Sequence, residues 1–205
     1  AFRRRGADGH AYTPIVAGGQ NACVLHYVEN NRVLPESGLV LIDAGCEVDG
    51  YASDITRSFP VNGRFSAAQR DAYEIVLAAQ AAAIDAIRPG ASFMAYHDAA
   101  VKVLTQGMID LGLLTGSVDA LIESEAYKRF YMHRTGHWLG LDVHDAGEYK
   151  EADDGNEWIR LAPGMTLTVE PGLYIRPAAD VPSHLHGIGI RIEDDVIVTA
   201  AGCEV

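Results

Sequence analysis

The sequence predicts an α+β protein whose core is an antiparallel sheet. Three observations support this. Residues 12–61 alternate between strand-like runs and turn signals, residues 66–112 have the apolar spacing of two helices, and residues 157–205 return to strands. The 205 residues, 48% of them hydrophobic and 21% charged, suffice for one large domain or two closely fused halves.

The first segment is predicted to consist of strands joined by turns. Turn-forming residues recur at 18–19 (GG), 35–38 (PESG) and 49–50 (DG). Between the second and third of these lies the apolar run LVLI, at 39–42, which is typical of a buried strand.

A hairpin is predicted at the third turn, with an acid on each arm. Asp43 ends the apolar strand, and Asp54 follows eleven residues later. If the strands fold back about the midpoint between Val48 and Asp49, the two acids face each other with Cβ atoms about 5 Å apart. Two buried carboxylates that close repel, and one must bind a proton unless a cation lies between them. A turn aspartate and a strand-end aspartate without any function explain this segment equally well.

Two helices are predicted after the hairpin. The first begins at Ser66, which can form a capping box with Gln69, and it ends at a Pro-Gly pair at 89–90. The second covers about residues 93–112 and starts after Ser92. In both, apolar residues three and four apart form a stripe at helical spacing.

A histidine-rich segment, MHRTGHWLGLDVHD, follows the helices. One histidine near a tryptophan is usually a packed core residue, whereas His133, His137 and His144 within twelve positions are a stronger signal. His133 and His137 would share a helical face, but Gly136 between them argues against a regular helix. The HExxH pattern of a two-histidine zinc site is absent. The segment therefore predicts one ligand histidine with the others as catalytic neighbours.

The last strands carry further acids. Glu170 ends the apolar strand MTLTV just before a Pro-Gly turn. In the following GIRIE, isoleucines alternate with other residues, so Arg191 and Glu193 are predicted to share one face, where the guanidinium can hold the carboxylate ionised. Asp194 and Asp195 are predicted to begin a solvated turn, whereas Glu193 is not.

Together these residues favour a metal centre. Two aspartates, two glutamates and one imidazole are hard, oxygen-rich ligands, which suit Mn²⁺, Mg²⁺-like ions, Fe²⁺ or Co²⁺ better than a thiolate zinc site does. Five ligands exceed what one open catalytic ion needs, so a bridged pair of ions is the simplest interpretation. Two ions about 3.5–4 Å apart are a usual device for activating water in hydrolysis.

The composition excludes several classes of partner and location. The net charge of −12 argues against nucleic acid and anionic membranes as partners. No apolar run approaches the roughly 18 residues of a membrane span, and no signal peptide marks export. Cys23, Cys46 and Cys203 are an odd number without CxxC spacing, which predicts reduced thiols in a cytoplasmic protein.

Four motifs, taken in order, resemble the pita-bread metallopeptidases and most closely the Xaa-Pro aminopeptidases (aminopeptidase P): LIDAGCEVDGYASDITRSFPVNG, MHRTGHWLGLDVHD, LAPGMTLTVEPGLYI and GIGIRIEDDVIVT. The resemblance covers residues 12–205. It implies two halves, related by approximate two-fold symmetry, that place helices and antiparallel strands around a central site. It also implies that residues 1–205 are the C-terminal catalytic domain, without the family's smaller N-terminal domain and its extreme C-terminal segment.

The resemblance implies five metal ligands for two divalent ions. They fall on Asp43, Asp54, His137, Glu170 and Glu193. Asp54 and Glu193 would bridge the two ions, and Glu170 would also take the proton of the attacking water. The expected metal is Mn²⁺, with Co²⁺, Zn²⁺ and Fe²⁺ as alternatives.

Four further residues match positions that handle substrate in the family. His144 would contact the substrate and help to stabilise the intermediate, and His133 would position the substrate and shuttle protons. His26 would lie on the substrate near the scissile bond. Arg191 would support Glu193 and the substrate site.

The activity implied is metal-dependent hydrolysis of the bond between an N-terminal residue and a penultimate proline. Ordinary aminopeptidase pockets reject this bond because proline has no N–H and a fixed φ. The expected partners are peptides with proline at position 2, without nucleic acid or membrane. A cytoplasmic homo-oligomer is compatible with these expectations.

Several alternatives stay open. A prolidase has the same fold and metals but is restricted to Xaa-Pro dipeptides, and overall likeness alone favours the aminopeptidase. Methionine aminopeptidases share the five ligands but have less similar flanking segments. A non-catalytic peptide-binding relative and a metal-free creatinase-like relative are disfavoured because all five ligands are present.

Overall fold

The computed structural model describes residues 1–151 and 155–205. The strands are β1 (Gly9–His10), β2 (Ile15–Gly18), β3 (Leu39–Asp43), β4 (Cys46–Val48), β5 (Tyr51–Ala52), β6 (Thr56–Pro60), β7 (Thr166–Val169), β8 (Gly172–Ile175), β9 (Ile188–Arg191), β10 (Asp194–Val198) and β11 (Cys203–Glu204). The helices are α1 (Ala67–Ala86), α2 (Ala95–Asp110) and α3 (Val118–Glu123), with 3₁₀ turns at Phe2–Arg5, Gly19–Cys23, Ala126–Arg129 and Ser183–Leu185.

All pairs between the described strands are antiparallel, which confirms the predicted fold class. The sheets have the orders β1-β4-β5, β2-β3-β6, β11-β10-β7 and β8-β9. An isolated β-bridge between Thr56 and Glu193 joins the N-terminal strands to the C-terminal strands. It includes a hydrogen bond of 3.1 Å from the Glu193 N–H to the Thr56 carbonyl. The two halves of the chain therefore meet beside β6.

The register of the first hairpin differs from the predicted one by two residues. Asp43 lies opposite Thr56, so the predicted direct pairing of Asp43 with Asp54 is wrong. The reason lies in the turn, where Asp49 and Gly50 have φ of 52° and 82° and together form a two-residue loop of the kind that joins hairpins. The fold-back point therefore falls between these two residues. Asp54 still reaches the face that carries Asp43, because it lies two positions from Thr56.

The arms of this hairpin come unusually close beside the acids. A β-carbon at Gly45 would lie 1.6 Å from the carbonyl oxygen of Ser53, so only glycine allows this approach. The Ser53 N–H donates to the Cys46 carbonyl at 2.9 Å, and the Ala44 N–H donates to the Ile55 carbonyl at 3.0 Å. The backbone around both acids is therefore fixed although the ladder is interrupted between β5 and β6.

The two predicted helices are confirmed. The Gln69 N–H donates to the Ser66 hydroxyl at 3.2 Å, and the Ser66 N–H donates to Gln69 Oε1 at 2.9 Å, which completes the capping box at the start of α1. Helix α1 ends at Ala86, and α2 is slightly shorter than expected at both ends. The two helices pack on each other, and α1 also contacts β7, β8 and β9. They form the buried support of the strands that carry the C-terminal acids.

The histidine-rich segment is irregular, as Gly136 predicted. Its one ladder contact is a bridge between Trp138 and Leu167 of β7. A β-carbon at Gly136 would lie 1.9 Å from the Thr168 carbonyl oxygen, so glycine is required for the segment to lie against β7. Among the described residues, no helix combines the length and apolar character needed to cross a membrane.

Candidate metal centre and active site

One cavity brings together every residue predicted for the site. Its volume is about 290 Å³. The predicted residues that line it are His26, Asp43, Asp54, His133, His137, His144, Glu170, Arg191 and Glu193. The lining is completed by Leu25, Arg134, Gly136 and Tyr149.

Each half of the chain delivers two of the four acids to this cavity. Asp43 is the last residue of β3 and Asp54 follows β5, whereas Glu170 follows β7 and Glu193 lies between β9 and β10. Because each of these acids ends a strand or lies close to one, the strand backbone fixes the position of its carboxylate in the cavity wall. Asp43, Asp54 and Glu193 are buried, and the Glu170 side chain is only 16% exposed.

His137 lies among three of these acids. Its Nε2 is 3.5 Å from Asp54 Oδ2 and 3.6 Å from Glu170 Oε1. One donor atom each from Asp54, His137 and Glu193 lies within 4.8 Å of the others, which is close enough for a shared ion. On the far side of the ring, Nδ1 is 2.9 Å from the Trp138 carbonyl, which can only accept a hydrogen bond. In the neutral imidazole Nδ1 therefore carries the proton, and the Nε2 lone pair faces the acids.

Asp43 is held from two sides. Arg191 Nη2 donates to Asp43 Oδ2 at 2.5 Å, and the Tyr12 hydroxyl lies 2.5 Å from Oδ1 of both Asp43 and Asp54. Burial raises the pKa of Asp43, and Arg191 and Tyr12 oppose this rise. The Tyr12 hydroxyl thus ties together the two acids that the hairpin register leaves unpaired.

Arg191 supports Glu193 less directly than predicted. Both residues line the cavity, as the alternation predicts, but the Arg191 guanidinium pairs with Asp43 rather than with Glu193. The link runs through Thr56, whose hydroxyl donates to Glu193 Oε2 at 2.5 Å and accepts from Arg191 Nε at 3.2 Å. Arg191 therefore braces an acid from each half of the chain.

The acids shift one another's pKa upward. Burial raises the pKa of Glu170 to about 7, with Asp54 and Asp43 adding to the rise and Arg191 and His137 opposing it. Burial also raises the pKa of Glu193 well above its usual range, with contributions from Glu170 and the two aspartates. So many buried acids around one imidazole nitrogen bind protons unless divalent cations neutralise them. This donor set fits hard divalent ions.

The other histidines flank the acids. His133 Nε2 is 2.8 Å from the Tyr174 hydroxyl and its Nδ1 is 3.8 Å from Glu170 Oε2. Burial, with help from Arg191, lowers the pKa of His133 to about 3, so this ring is neutral. His144 is exposed and its ring centroid lies 4.3 Å from that of His137. Burial, and after it His137, lowers the pKa of His144.

Asp194 and Asp195 are not in a solvated turn, so that prediction is wrong. Both belong to β10, where Asp194 Oδ1 lies 2.6 Å from Arg57 Nη2. Both carboxylate oxygens of Asp195 accept from the Asp54 N–H at 3.2 Å, and burial raises the pKa of Asp195 to about 6. The sequence held a signal for this, because apolar residues keep the same alternation on both sides of the acidic run.

Thr135, which the sequence reasoning missed, fixes the backbone between His133 and His137. Its carbonyl accepts from the Glu170 N–H at 2.7 Å, and its N–H donates to His97 Nδ1 at 3.2 Å. Its hydroxyl is 2.9 Å from the same nitrogen of His97. Burial, together with nearby positive charges, lowers the pKa of His97 to about 4, so Nδ1 stays free to accept.

Comparison with known proteins places the chain among peptidases. Residues 1–200 match the model of metallopeptidase family M24. The protein of Haemophilus influenzae named Xaa-Pro aminopeptidase is 54% identical over 201 residues, which are 98% of this chain and 46% of that protein. The protein of the same name from Escherichia coli is 51% identical over 204 residues, which are 99% of this chain and 45% of that protein.

A solved structure shows the same architecture. The structure of Pseudomonas aeruginosa aminopeptidase PepP matches with a TM-score of 0.96 and 58% identity, over 100% of this chain and 46% of that chain. The predicted resemblance and pita-bread fold are thereby confirmed. The chain spans about half the length of the relatives that it matches.

Proposed function

The chain belongs to metallopeptidase family M24, and on that premise we propose that it removes the N-terminal residue from peptides whose second residue is proline. The observation that carries the proposal is the gathering of all nine predicted residues around one cavity. The names of the relatives favour this activity over that of a prolidase, since each of those reported above is called an aminopeptidase.

We propose that residues 1–205 act as the catalytic domain and that two divalent cations bind in the cavity. The ligands would be Asp43, Asp54, His137, Glu170 and Glu193. When bound, the cations would activate a water molecule and polarise the scissile carbonyl. Mn²⁺ is the expected metal and Co²⁺, Zn²⁺ and Fe²⁺ are the alternatives, because oxygen-rich donors dominate the set.

Glu170 is the proposed proton acceptor from the attacking water. Its Oε2 lies 3.8 Å from His133 Nδ1. That nitrogen is 2.7 Å from the Arg134 carbonyl and therefore carries the proton of the neutral ring, so His133 presents an N–H to the carboxylate. The Thr135 carbonyl fixes the Glu170 backbone, which keeps the carboxylate at the cavity wall. Positioned proton transfer of this kind contributes about 10²–10⁴-fold to rates.

His26 and His144 are proposed to contact the substrate. Both line the cavity and both are exposed, so a peptide can reach them. His133 is half-buried in the same lining and is proposed to position the substrate through its ring. Arg191 is buried and paired with Asp43, so we propose that it acts on the substrate through the acids that it orients.

The acidic floor of the cavity suits the free amine of a peptide substrate. A protonated amine beside four carboxylates is attracted electrostatically, whereas an internal segment of a polypeptide lacks this charge. A substrate with proline in second place offers a tertiary amide without an N–H donor, which a site built around carbonyl polarisation can accept.

Location and assembly stay predictions. The structure has free thiols at Cys23, Cys46 and Cys203, which suit the proposed cytoplasmic location. The proposed homo-oligomer can be tested by sedimentation of the purified protein.

Hydrolysis of an Xaa-Pro-Yaa tripeptide and an Xaa-Pro dipeptide by Mn²⁺-loaded protein tests the activity. We expect release of the first residue from the tripeptide. The Glu170→Gln variant should reduce kcat/KM by about 10²–10⁴-fold, because it removes the proton acceptor. The matched control is Glu123→Gln, which makes the same change at an exposed residue of α3 and should retain activity.

The outcomes separate the candidate functions. Exclusive cleavage of the dipeptide would indicate a prolidase. Binding of two metal ions without cleavage of either peptide would support the metal centre and contradict the activity. Absence of both metal binding and turnover would overturn the proposal as a whole.

A further inference from the structure

Arg134 contributes a second positive charge to the lining of the active-site cavity. It lies next to His133 in sequence, and its side chain is exposed. Among the residues that the structure describes, its guanidinium forms no hydrogen bond or ion pair with a protein acceptor. The other arginine of the lining, Arg191, is 4% exposed and is already paired with Asp43. Arg134 is therefore the cation that is free to bind something else.

Two aromatic rings hold this guanidinium in place. Its central carbon lies 5.4 Å from the ring centroid of Tyr149 and 5.3 Å from that of Trp158. Contact with a ring face restrains the plane of a guanidinium and leaves its N–H groups free at the edges. The side chain therefore keeps its donors available in a restricted position.

The rings themselves are anchored in the hydrophobic core. Tyr149 stacks on Trp138 with centroids 5.8 Å apart and planes at 15°. Phe93, which is 1% exposed, contacts the rings of both Tyr149 and Trp138 with centroids 5.0 and 4.7 Å away. A guanidinium supported in this way loses little freedom when it binds a ligand, which strengthens binding.

The charge distribution in the cavity indicates the ligand. Four carboxylates form one part of the lining, and they attract the cationic amine of a peptide. Arg134 supplies the opposite charge. A planar guanidinium can donate two parallel hydrogen bonds to a carboxylate, so a carboxylate is the ligand that suits it best. A short peptide carries both charges, one at each end.

We propose that Arg134 binds the C-terminal carboxylate of short peptide substrates, on the proline side of the scissile bond. This proposal rests on the proposed function, since it assigns the far end of the same substrate. It makes Arg134 a specificity-determining residue that favours peptides with a free carboxylate over longer or amidated ones. At the peptide length that reaches the guanidinium, kcat/KM should be about tenfold higher for the free acid than for the amide. One hydrogen bond between charged groups supplies a factor of about this size.

The test compares each free peptide with its C-terminal amide at lengths of two, three and four residues. For the Mn²⁺-loaded wild-type protein, we expect kcat/KM to favour the acid at one length at least. In Arg134→Gln, the ratio of kcat/KM for the free acid to kcat/KM for the amide should fall to about one. Arg134→Lys should retain part of the preference, because it keeps the charge but loses the planar fork.

The amide serves as an internal reference. A change that merely disturbs His133 would lower turnover of acid and amide alike and leave their ratio unchanged. Arg88→Gln is the matched control, because it removes one positive charge from an exposed arginine outside the cavity lining. An acid-to-amide ratio that is equal in wild-type and Arg134→Gln protein at every length would overturn the proposal.

A binding measurement keeps the test independent of turnover. Calorimetry with the product-like dipeptide Pro-Yaa and its amide, in the presence of Mn²⁺, should show tighter binding of the acid by wild-type protein and equal binding by Arg134→Gln. This result without any hydrolysis would sustain the carboxylate site and contradict the proposed function. The same comparison with Pro and Pro-Yaa-Zaa covers the other two lengths. Equal binding of acid and amide by the wild-type protein at all three lengths, or binding of none of these compounds, would overturn the carboxylate site.

Discussion

His97 and Thr135 show how residues outside the proposed metal-ligand set can hold the site in place. The His97 ring accepts the Thr135 N–H, and Thr135 holds the Glu170 backbone in turn. Replacing His97 with alanine leaves a buried N–H without an acceptor, which should lower the free energy of unfolding by about 1–3 kcal/mol. Urea unfolding of the metal-free protein measures this change.

His97→Asn is the matched variant for this prediction. The asparagine side chain can place an acceptor close to the position of Nδ1, so it should recover part of the lost stability. Equal losses in His97→Ala and His97→Asn would show that ring packing, rather than the hydrogen bond, is what His97 contributes.

Two of the four acids could be predicted from sequence because each carries a local signal. Asp43 and Glu170 directly follow apolar strands, and such a placement is informative without knowledge of the fold. No local pattern identifies the partners of Tyr12, Thr56 and Asp195, since these partners lie 42, 137 and 141 residues away in the chain. Only the tertiary structure brings these residues to the acids.

At the scale of elements, the start of α1 is determined by two side-chain hydrogen bonds. Ser66→Ala removes the hydroxyl that accepts the Gln69 N–H, and it should lower the free energy of unfolding by about 1 kcal/mol. Urea unfolding measures this change, provided that the dependence of the unfolding free energy on urea concentration is the same in both proteins. Ser66→Thr keeps a hydroxyl that can cap the helix, so its free energy of unfolding should lie within a few tenths of a kcal/mol of the wild-type value.

The cavity should be unaffected by either variant, since Ser66 does not line it. A large loss of metal binding in Ser66→Ala would therefore contradict the view that α1 acts only as support. Destabilisation by Ser66→Thr as large as that by Ser66→Ala would contradict the capping interpretation.

Helices and strands were easier to predict than the register between strands. The capping box and the apolar stripes are local patterns, and α1 and α2 formed where they indicated. The hairpin register depends on which residues occupy the loop, and the positive φ of Asp49 moves the fold-back point by one residue. A shift of one residue in that point displaces every cross-strand partner by two, which is why Asp43 faces Thr56.

At the scale of the whole molecule, the buried acids couple stability to pH. Burial raises the pKa of Glu170 from 4.5 to about 7 in the folded state. An acid whose pKa is higher in the folded state than in the unfolded state contributes stability that is complete below its unfolded-state pKa. That stability is lost as the pH rises through its folded-state pKa. Without metal, Glu170 should therefore contribute a loss of roughly 3 kcal/mol between about pH 4.5 and pH 8. His97 and His133, whose pKa values burial lowers, contribute a change of the opposite sign as they lose their protons in the unfolded state.

Unfolding in urea with EDTA, at pH 5 and pH 8, measures this loss. The change in unfolding free energy from pH 5 to pH 8 should be less favourable in the wild type than in Glu170→Gln, because the glutamine side chain does not titrate. Glu123→Gln should behave like the wild type. Addition of Mn²⁺ at pH 8 should raise the unfolding midpoint of the wild type, since a bound cation replaces the missing protons. Equal pH dependence of the unfolding free energy in the wild type and in Glu170→Gln, without metal, would contradict the raised pKa of Glu170.

The bridge between Thr56 and Glu193 also constrains the order of assembly. These residues are 137 positions apart, so the contact closes a loop that contains most of the chain. The hairpin with Asp43 and Asp54 can form locally, whereas long-range pairing is the slow part of folding. During synthesis, both aspartates leave the ribosome before Glu170 and Glu193 have been joined to the chain. A cation at the proposed metal centre would meet only half of its carboxylate ligands at that stage, so firm binding of metal would have to wait until Glu193, which follows β9, has been added to the chain.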